Sequence, residues 1–298
     1  MKAFTYIFKK IIIIHPHMIF ANKYLLIVIL FIQLLATVYA QNTTEIQFNY
    51  AQELFVSGKY FDAITEFKRL LFFDNTKDYD YSANSLIGSS YKQGAKFSDA
   101  IHYFTLAEIN ASSEEEYYNS RIDIIRVNIL RRSTNRALKL LDSLQADKRF
   151  SNKIDDINYW RGWVYIFADD WKNAANTFAK IDSTHELNQF ANKIDGELYS
   201  VSFAKTISYI IPGAGQIYTG EYISGLLSLG WNLLWGYLTI KSFIDERIFD
   251  GIVIANFLWL RFYRGNFQNA EKFAEEKNLI ISNEGMHYLQ YEYSGRKP

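Results

Sequence analysis

The chain has 298 residues, 32 basic and 32 acidic side chains, and no cysteine. That length accommodates two domains at about 150 residues each. Balanced charge removes the electrostatic motive for a nucleic-acid partner, and the missing thiols exclude disulfides, thiolate metal sites, a cysteine nucleophile and a lipid-modified cysteine.

The N-terminal stretch reads as a secretory signal. Lys23 precedes the apolar run Leu25 to Ala36, and Val38-Tyr39-Ala40 places small side chains three and one before a cut after Ala40. Residues 1–40 are therefore assigned to export, with 1–17 as an upstream extension if Met18 is the natural start. The competing reading is an uncleaved anchor lengthened by Ile11-Ile12-Ile13-Ile14.

From 43 to 182 the chain repeats. Ala63, Ala100, Ala137 and Ala174 lie 37 residues apart, each followed four residues later by Phe67, Phe104, Leu141 or Phe178. Three residues before the alanines stand Tyr60, Phe97, Thr134 and Trp171, and twelve before them Ala51, Gly88, Ile125 and Gly162. A small residue on one helix lets its partner approach, and the large apolar residue one turn beyond the alanine fills the gap. Four periods exceed the number, about three, that stacked helical pairs need to bury a continuous core.

The lines Val56-Ser57-Gly58-Lys59-Tyr60-Phe61-Asp62-Ala63 and Ser90-Tyr91-Lys92-Gln93-Gly94-Ala95-Lys96-Phe97-Ser98-Asp99-Ala100-Ile101 resemble the tetratricopeptide repeat. The periods are longer than the family's usual length of about 34 residues, with the excess in polar linkers near Asp74 to Asp80 and Asn110 to Glu116, and the third repeat is degenerate. The resemblance implies a solenoid whose first helices line a concave, peptide-binding face. Carried over by register, that face comprises Phe48, Gln52 and Phe55, then Ser85, Ser89 and Lys92, then Ile122, Arg126 and Ile129, then Tyr159, Trp163 and Ile166. The competing reading makes each of these an inter-repeat packing residue. The Lys and Asn clamp of chaperone-binding members is not carried over, because Phe48 and Gln52 stand in that region.

Residues 183–211 read as capping and connecting helices, beginning near Ser183 or Thr184. They lead to Pro212-Gly213-Ala214-Gly215-Gln216-Ile217-Tyr218-Thr219-Gly220, which contains the only proline between Pro16 and Pro298. Proline removes a helix donor and glycine admits backbone angles closed to other residues, so the chain turns here. Tyr222 to Ile240 is then uncharged over 19 residues, close to the length of about 20 that spans a bilayer as a helix. Lys241 to Asp250 is a charged turn, and the apolar stretch Gly251 to Leu260 is the shorter second arm of a hairpin.

The corner and the later Phe262-Tyr263-Arg264-Gly265-Asn266 resemble bacterial two-helix membrane proteins with a Pro-Gly-x-Gly-Gln-x-Tyr signature. That resemblance implies membrane placement and no particular reaction. Within 212–278 it assigns Pro212, Gly213, Gly215, Gln216 and Tyr218 to a hinge, with a closing amphipathic helix from Phe267 to Asn278. In the tail, 279–298, Asn283-Glu284-Gly285 is a turn signal that predicts a small strand hairpin.

The expected fold is all-α: a tetratricopeptide-like solenoid of about four repeats followed by a hydrophobic helical hairpin. No metal site or cofactor is expected, since His15, His17, His102, His185 and His287 lack ligand spacing and Gly213-Ala214-Gly215 lacks the remainder of a phosphate-binding fingerprint. The expected function is a noncatalytic, exported, membrane-attached scaffold in the bacterial cell envelope, with periplasmic repeats that bind a partner protein or peptide and an inner-membrane hairpin. The alternative is a structural subunit of a secretion or biogenesis complex that forms a homo-oligomer through Gly225, Gly230 and Gly236.

Overall fold

A computed structural model describes residues 27–30 and 43–298. Residues 27–30 are helical; the rest of the expected signal lies outside the described residues. The described chain is all-α and divides into two compact units, one ending at Arg136 and one beginning at Ala137.

The first unit contains α1 (43–56), α2 (Tyr60–Phe73), α3 (Asp80–Gln93), α4 (Phe97–Ile109) and α5 (Glu114–Leu130). Helices adjacent in sequence pack together, and the periodic residues form the packing. Ala51, Ala63, Phe67, Ala100 and Phe104 are all fully buried. A Cβ added to Gly88 would stand 2.8 Å from the ring of Phe104, so the close approach of α3 and α4 at this point needs a position without a side chain. Apolar surface removed from water in this way stabilises each pair by about 25 cal/mol per Å².

The backbone repeats along with the side chains. Gly58, Ala95, Arg132 and Asp169, again 37 apart, all adopt positive φ between 54° and 77°. Each follows a helix and lets the next amide reach back, as in Lys59 N–H to Leu54 C=O, Lys96 to Tyr91, Ser133 to Asn128 and Asp170 to Tyr165 at 2.9 Å. This left-handed stop satisfies carbonyls that a helix end would otherwise leave bare. Gly220 and Glu246 make the same turn, with Glu221 N–H to Gln216 C=O at 2.8 Å and Arg247 N–H to Ser242 C=O at 2.9 Å.

The long linkers are ordered by acidic side chains. Asp74 is pushed up by burial, but it accepts from the Thr76 hydroxyl at 2.6 Å and from the amides of Thr76, Lys77 and Tyr79 at 3.1 Å, and these bonds together hold its carboxyl below the usual range. Ser113 caps α5 by accepting from Glu116 N–H, while the Glu116 carboxylate accepts from Ser112 N–H.

The second unit begins within α6 (Thr134–Ala146) and continues through α7 (Ile154–Phe167), α8 (Trp171–Phe178), α9 (Glu186–Glu197), α10 (Val201–Ile210) and α11 (Ala214–Tyr218). It is completed by α12 (Tyr222–Ile244), α13 (Ile248–Val253), a π-helical turn (Ile254–Trp259) and α14 (Leu260–Tyr291). Gly162 meets Phe178 as Gly88 meets Phe104: a Cβ there would lie 2.4 Å from the ring. The start of α9 differs slightly from expectation, because His185 is its cap, accepting from Leu187 N–H through Nδ1.

α12 is the one helix among the described residues long and apolar enough to cross a membrane. Its 23 residues rise about 34 Å, against a hydrocarbon core of about 30 Å. Only 22% of its most apolar window is buried, unlike the core helix of a water-soluble fold.

The expected strand hairpin in 279–298 is absent: α14 runs unbroken for 32 residues through Asn283-Glu284-Gly285. Gly285 serves contact instead of a turn, since a Cβ there would come within 3.1 Å of Trp171. Trp171 also donates from Nε1 to Ser282 Oγ at 2.9 Å, and Phe190 stacks on Tyr288 at 4.7 Å, so α14 lies against α8 and α9.

Candidate functional site

In the first unit the expected inner-face residues divide by chemistry. Phe48 packs on Phe67 and Tyr79 at ring distances of 5.8 and 4.9 Å, and Phe55 meets Tyr60 edge-on. Both belong to the rim of the core, whereas Gln52 is exposed. Ser85, Ser89 and Lys92 on α3 are half-buried, as is Arg126 on α5, while Ile122 and Ile129 are buried.

Lys92 lies near an ion pair between Arg126 and Asp123, a carboxylate that sequence reasoning did not single out. Arg126 Nη1 lies 2.8 Å from Asp123 Oδ1, and Lys92 is near enough to feel both charges. Burial, reinforced by the Arg126 charge and opposed by Asp123, pushes the Lys92 ammonium down to about 8. Burial raises Asp123 against the pull of Arg126 and Lys92.

In the second unit the chain's own C-terminal residues cover the equivalent face. Tyr159 is 7% exposed and Trp163 2%. The Tyr159 hydroxyl lies 3.2 Å from that of Tyr293 and donates to the Arg296 carbonyl. Tyr293 packs on Trp163 at 6.0 Å, and the Arg296 guanidinium sits 4.9 Å from the Tyr159 ring centroid while pairing with Asp156. Burial and the Tyr159 hydroxyl raise the Tyr293 phenol well above its ordinary value. Tyr159 and Trp163 therefore hold the tail, which their register could not reveal because the covering residues are remote, Tyr293 lying 134 positions beyond Tyr159. Ile166, fully buried, is core.

The Pro-Gly corner is a buried polar network. Gly213 has φ +94°, and a Cβ there would stand 2.1 Å from the Gly225 carbonyl oxygen. Gly215 is equally confined, 2.1 Å from the Ala204 carbonyl oxygen by the same construction. Pro212 is half-buried between α10 and α11. Asn266 ties the corner together. Its Oδ1 accepts from Gly213 N–H at 2.6 Å and Ser228 Oγ at 2.9 Å, and its Nδ2 donates to the Ser208 carbonyl at 2.7 Å. Gln216, fully buried, donates through Nε2 to the Asn266 carbonyl at 2.9 Å, and Gly215 N–H donates to Ser208 Oγ at 2.9 Å. Each buried group thus has a partner, the condition under which such a network rigidifies instead of destabilising.

No protein-family model matches the chain, and neither a curated protein nor a solved structure matches it. The assignment of roles therefore rests on geometry.

Tyr218 stands apart from the network. It is 37% exposed, accepts from Ser200 N–H at 3.1 Å and meets Tyr199 and Phe203 edge-on. Nearby, Asn278 exchanges two bonds with the Tyr199 backbone at 2.8 and 2.9 Å, and Lys205 pairs with Glu271 at 2.8 Å. These contacts fasten α10 and α11 to α14. Two of the three glycines expected to drive self-association are used internally. Gly225 receives Ile217 and the Gly213 carbonyl, and Gly236 faces Trp259; only Gly230 has open space.

Proposed function

We propose that the protein is a noncatalytic, exported, membrane-attached scaffold. Its repeats, of the tetratricopeptide kind, recruit a partner protein through the inner face of the first unit. α12 and the helix returning from it anchor the chain in the inner membrane of a bacterial envelope, with the repeats in the periplasm. The observation that supports the reading is the placing of the Arg126–Asp123 ion pair and Lys92 together at half-buried positions of α3 and α5, on the face the repeat register turns inward, where polar side chains can meet a polar segment of the partner. The internal use of Gly225 and Gly236 leaves the self-associating alternative with little support.

Photocrosslinking of the full chain in its native membrane tests this. A photoreactive residue at half-buried Ser89 should trap an envelope protein, and K92E with R126E should abolish the adduct. Adducts at the exposed outer position His102 but none at Ser89 would overturn it. Protease protection and carbonate washing test the anchor independently, since release by carbonate sinks the integral-membrane reading.

A further inference from the structure

Beyond the end of α14 the chain leaves the helix and lies back across α7, with Tyr293-Ser294-Gly295-Arg296 making the contact. Tyr293 is buried against Trp163, and its hydroxyl lies 3.2 Å from that of Tyr159. Tyr159 donates to the main-chain carbonyl of Arg296, whose guanidinium pairs with Asp156 and sits 4.9 and 5.5 Å from the ring centroids of Tyr159 and Trp160. Gly295 permits the fold-back: a Cβ there would stand 2.1 Å from the Tyr293 hydroxyl oxygen.

These are the contacts by which a folded surface holds a separate peptide: a buried aromatic anchor, a main-chain carbonyl bonded by a side chain, and an arginine on a carboxylate over aromatic faces. Ser294, Gly295 and Arg296 are themselves exposed, so the segment rests on α7 through one buried ring. It also leaves part of the face unused. A cavity of about 380 Å³ stays open beside it, lined by Asp155, Asp156 and Tyr159 together with Ile181 and His185. Asp155 is exposed there with no ion pair among the described residues, and Trp163 Nε1 is buried with no acceptor among them.

From this seating we infer that the tail-covered face of α7 is a second docking surface, whose occupant is a basic segment of a partner protein with the order aromatic-x-Gly-Arg, and that the chain's own segment holds the place until displaced. Trp163 and Tyr159 take the aromatic ring, Tyr159 the carbonyl and Asp156 the arginine, for which a carboxylate beside aromatic faces is suited. Charge decides the class of occupant, because an acidic segment would meet Asp155 and Asp156 as like charges. The surface lies in the second unit and is separate from the recruiting face assigned to the first.

The chain has no cysteine, so a nitroxide on S294C, at an exposed position, reports on the segment alone within the full chain in detergent. The probe is an amidated peptide of residues 289–298. It should free the label saturably at roughly millimolar concentration, as competition with a short tether requires, while circular dichroism stays unchanged. In an R296A chain, release should need about tenfold less peptide, the effect of losing one charge-assisted hydrogen bond. Peptides carrying Gly295→Ala or Arg296→Glu should release nothing over that range. A label that stays immobile throughout makes the segment a fixed part of the fold, a label already mobile without peptide removes the seating, and release by the alanine peptide reduces the contact to unspecific charge; each overturns the inference. Should R296A fail to fold, the wild-type titration with the three peptides decides it. Absence of a crosslink at Ser89 fails the reading of the first unit and leaves this one standing, and the reverse holds for an immobile label.

Discussion

Glycines permit close approach in both the repeats and the Pro-Gly corner, but what fills the space differs. In the repeats, the rings of Phe104 and Phe178 close over Gly88 and Gly162 from 16 residues away, and the contact is apolar. At the corner, backbone carbonyls crowd Gly213 and Gly215, and the group that organises them, Asn266, arrives 53 residues later through hydrogen bonds. Apolar packing of near neighbours can yield locally and by degrees. A buried polar hub leaves several groups unsatisfied at once when it is lost.

Substitutions should expose that difference. The largest effect is expected for N266A, which strands the Gly213 amide and the Ser208 carbonyl and should cost about 3–5 kcal/mol, read as a fall in the unfolding temperature of the full chain in detergent. G162A comes next: a methyl 2.4 Å from the Phe178 ring forces that pair apart at about 1–3 kcal/mol. Hydrogen exchange should then quicken in α7 and α8 for G162A but across α10, α11 and α14 for N266A. Equal spread in both variants would erase the distinction drawn here.

K92M probes the charged inner face. The folded Lys92 titrates near 8 against an ordinary 10.5, so its charged form is penalised by folding. That penalty is absent above about pH 10.5, grows as the pH falls toward 8 and is complete below it. K92M should therefore stabilise the chain by about 1–2 kcal/mol at pH 7, with the gain vanishing above pH 10.5, measured by denaturant unfolding across pH. The smallest effect is expected for A95G, which relieves a residue at φ 54° and should add about 0.5–1 kcal/mol, while glycine at the last helical position, Gln93, should do the opposite.

What could be read from the sequence follows the same division. The repeat positions, the helix end before Pro212 and the membrane-length helix all arise from local features, and were visible as a period, a Pro-Gly break and an uncharged run. Asn266 was visible only as part of a resemblance, with nothing nearby to show which donors it serves. Gly285 misled because a glycine within a polar run signals a turn equally well when its real purpose is to admit Trp171. Tyr159 and Trp163 were assigned to the inner face by register alone, and the residues that cover them are remote in sequence. Asp123 was overlooked since its burial, and the nearness of Lys92 on another helix, appear only once the helices pack.

The late position of Asn266 also bears on how the chain is made. At about 5–20 residues per second, synthesis needs several seconds to travel from Gly213 to Asn266, and in that interval α12 must emerge and reverse direction. Until it does, the Gly213 amide and the Ser208 carbonyl have no permanent partner, so the corner cannot lock before the apolar arm has found its place. Asn266 thus acts as a latch set by biosynthetic order: the corner becomes rigid only after the returning helix has passed back beside it.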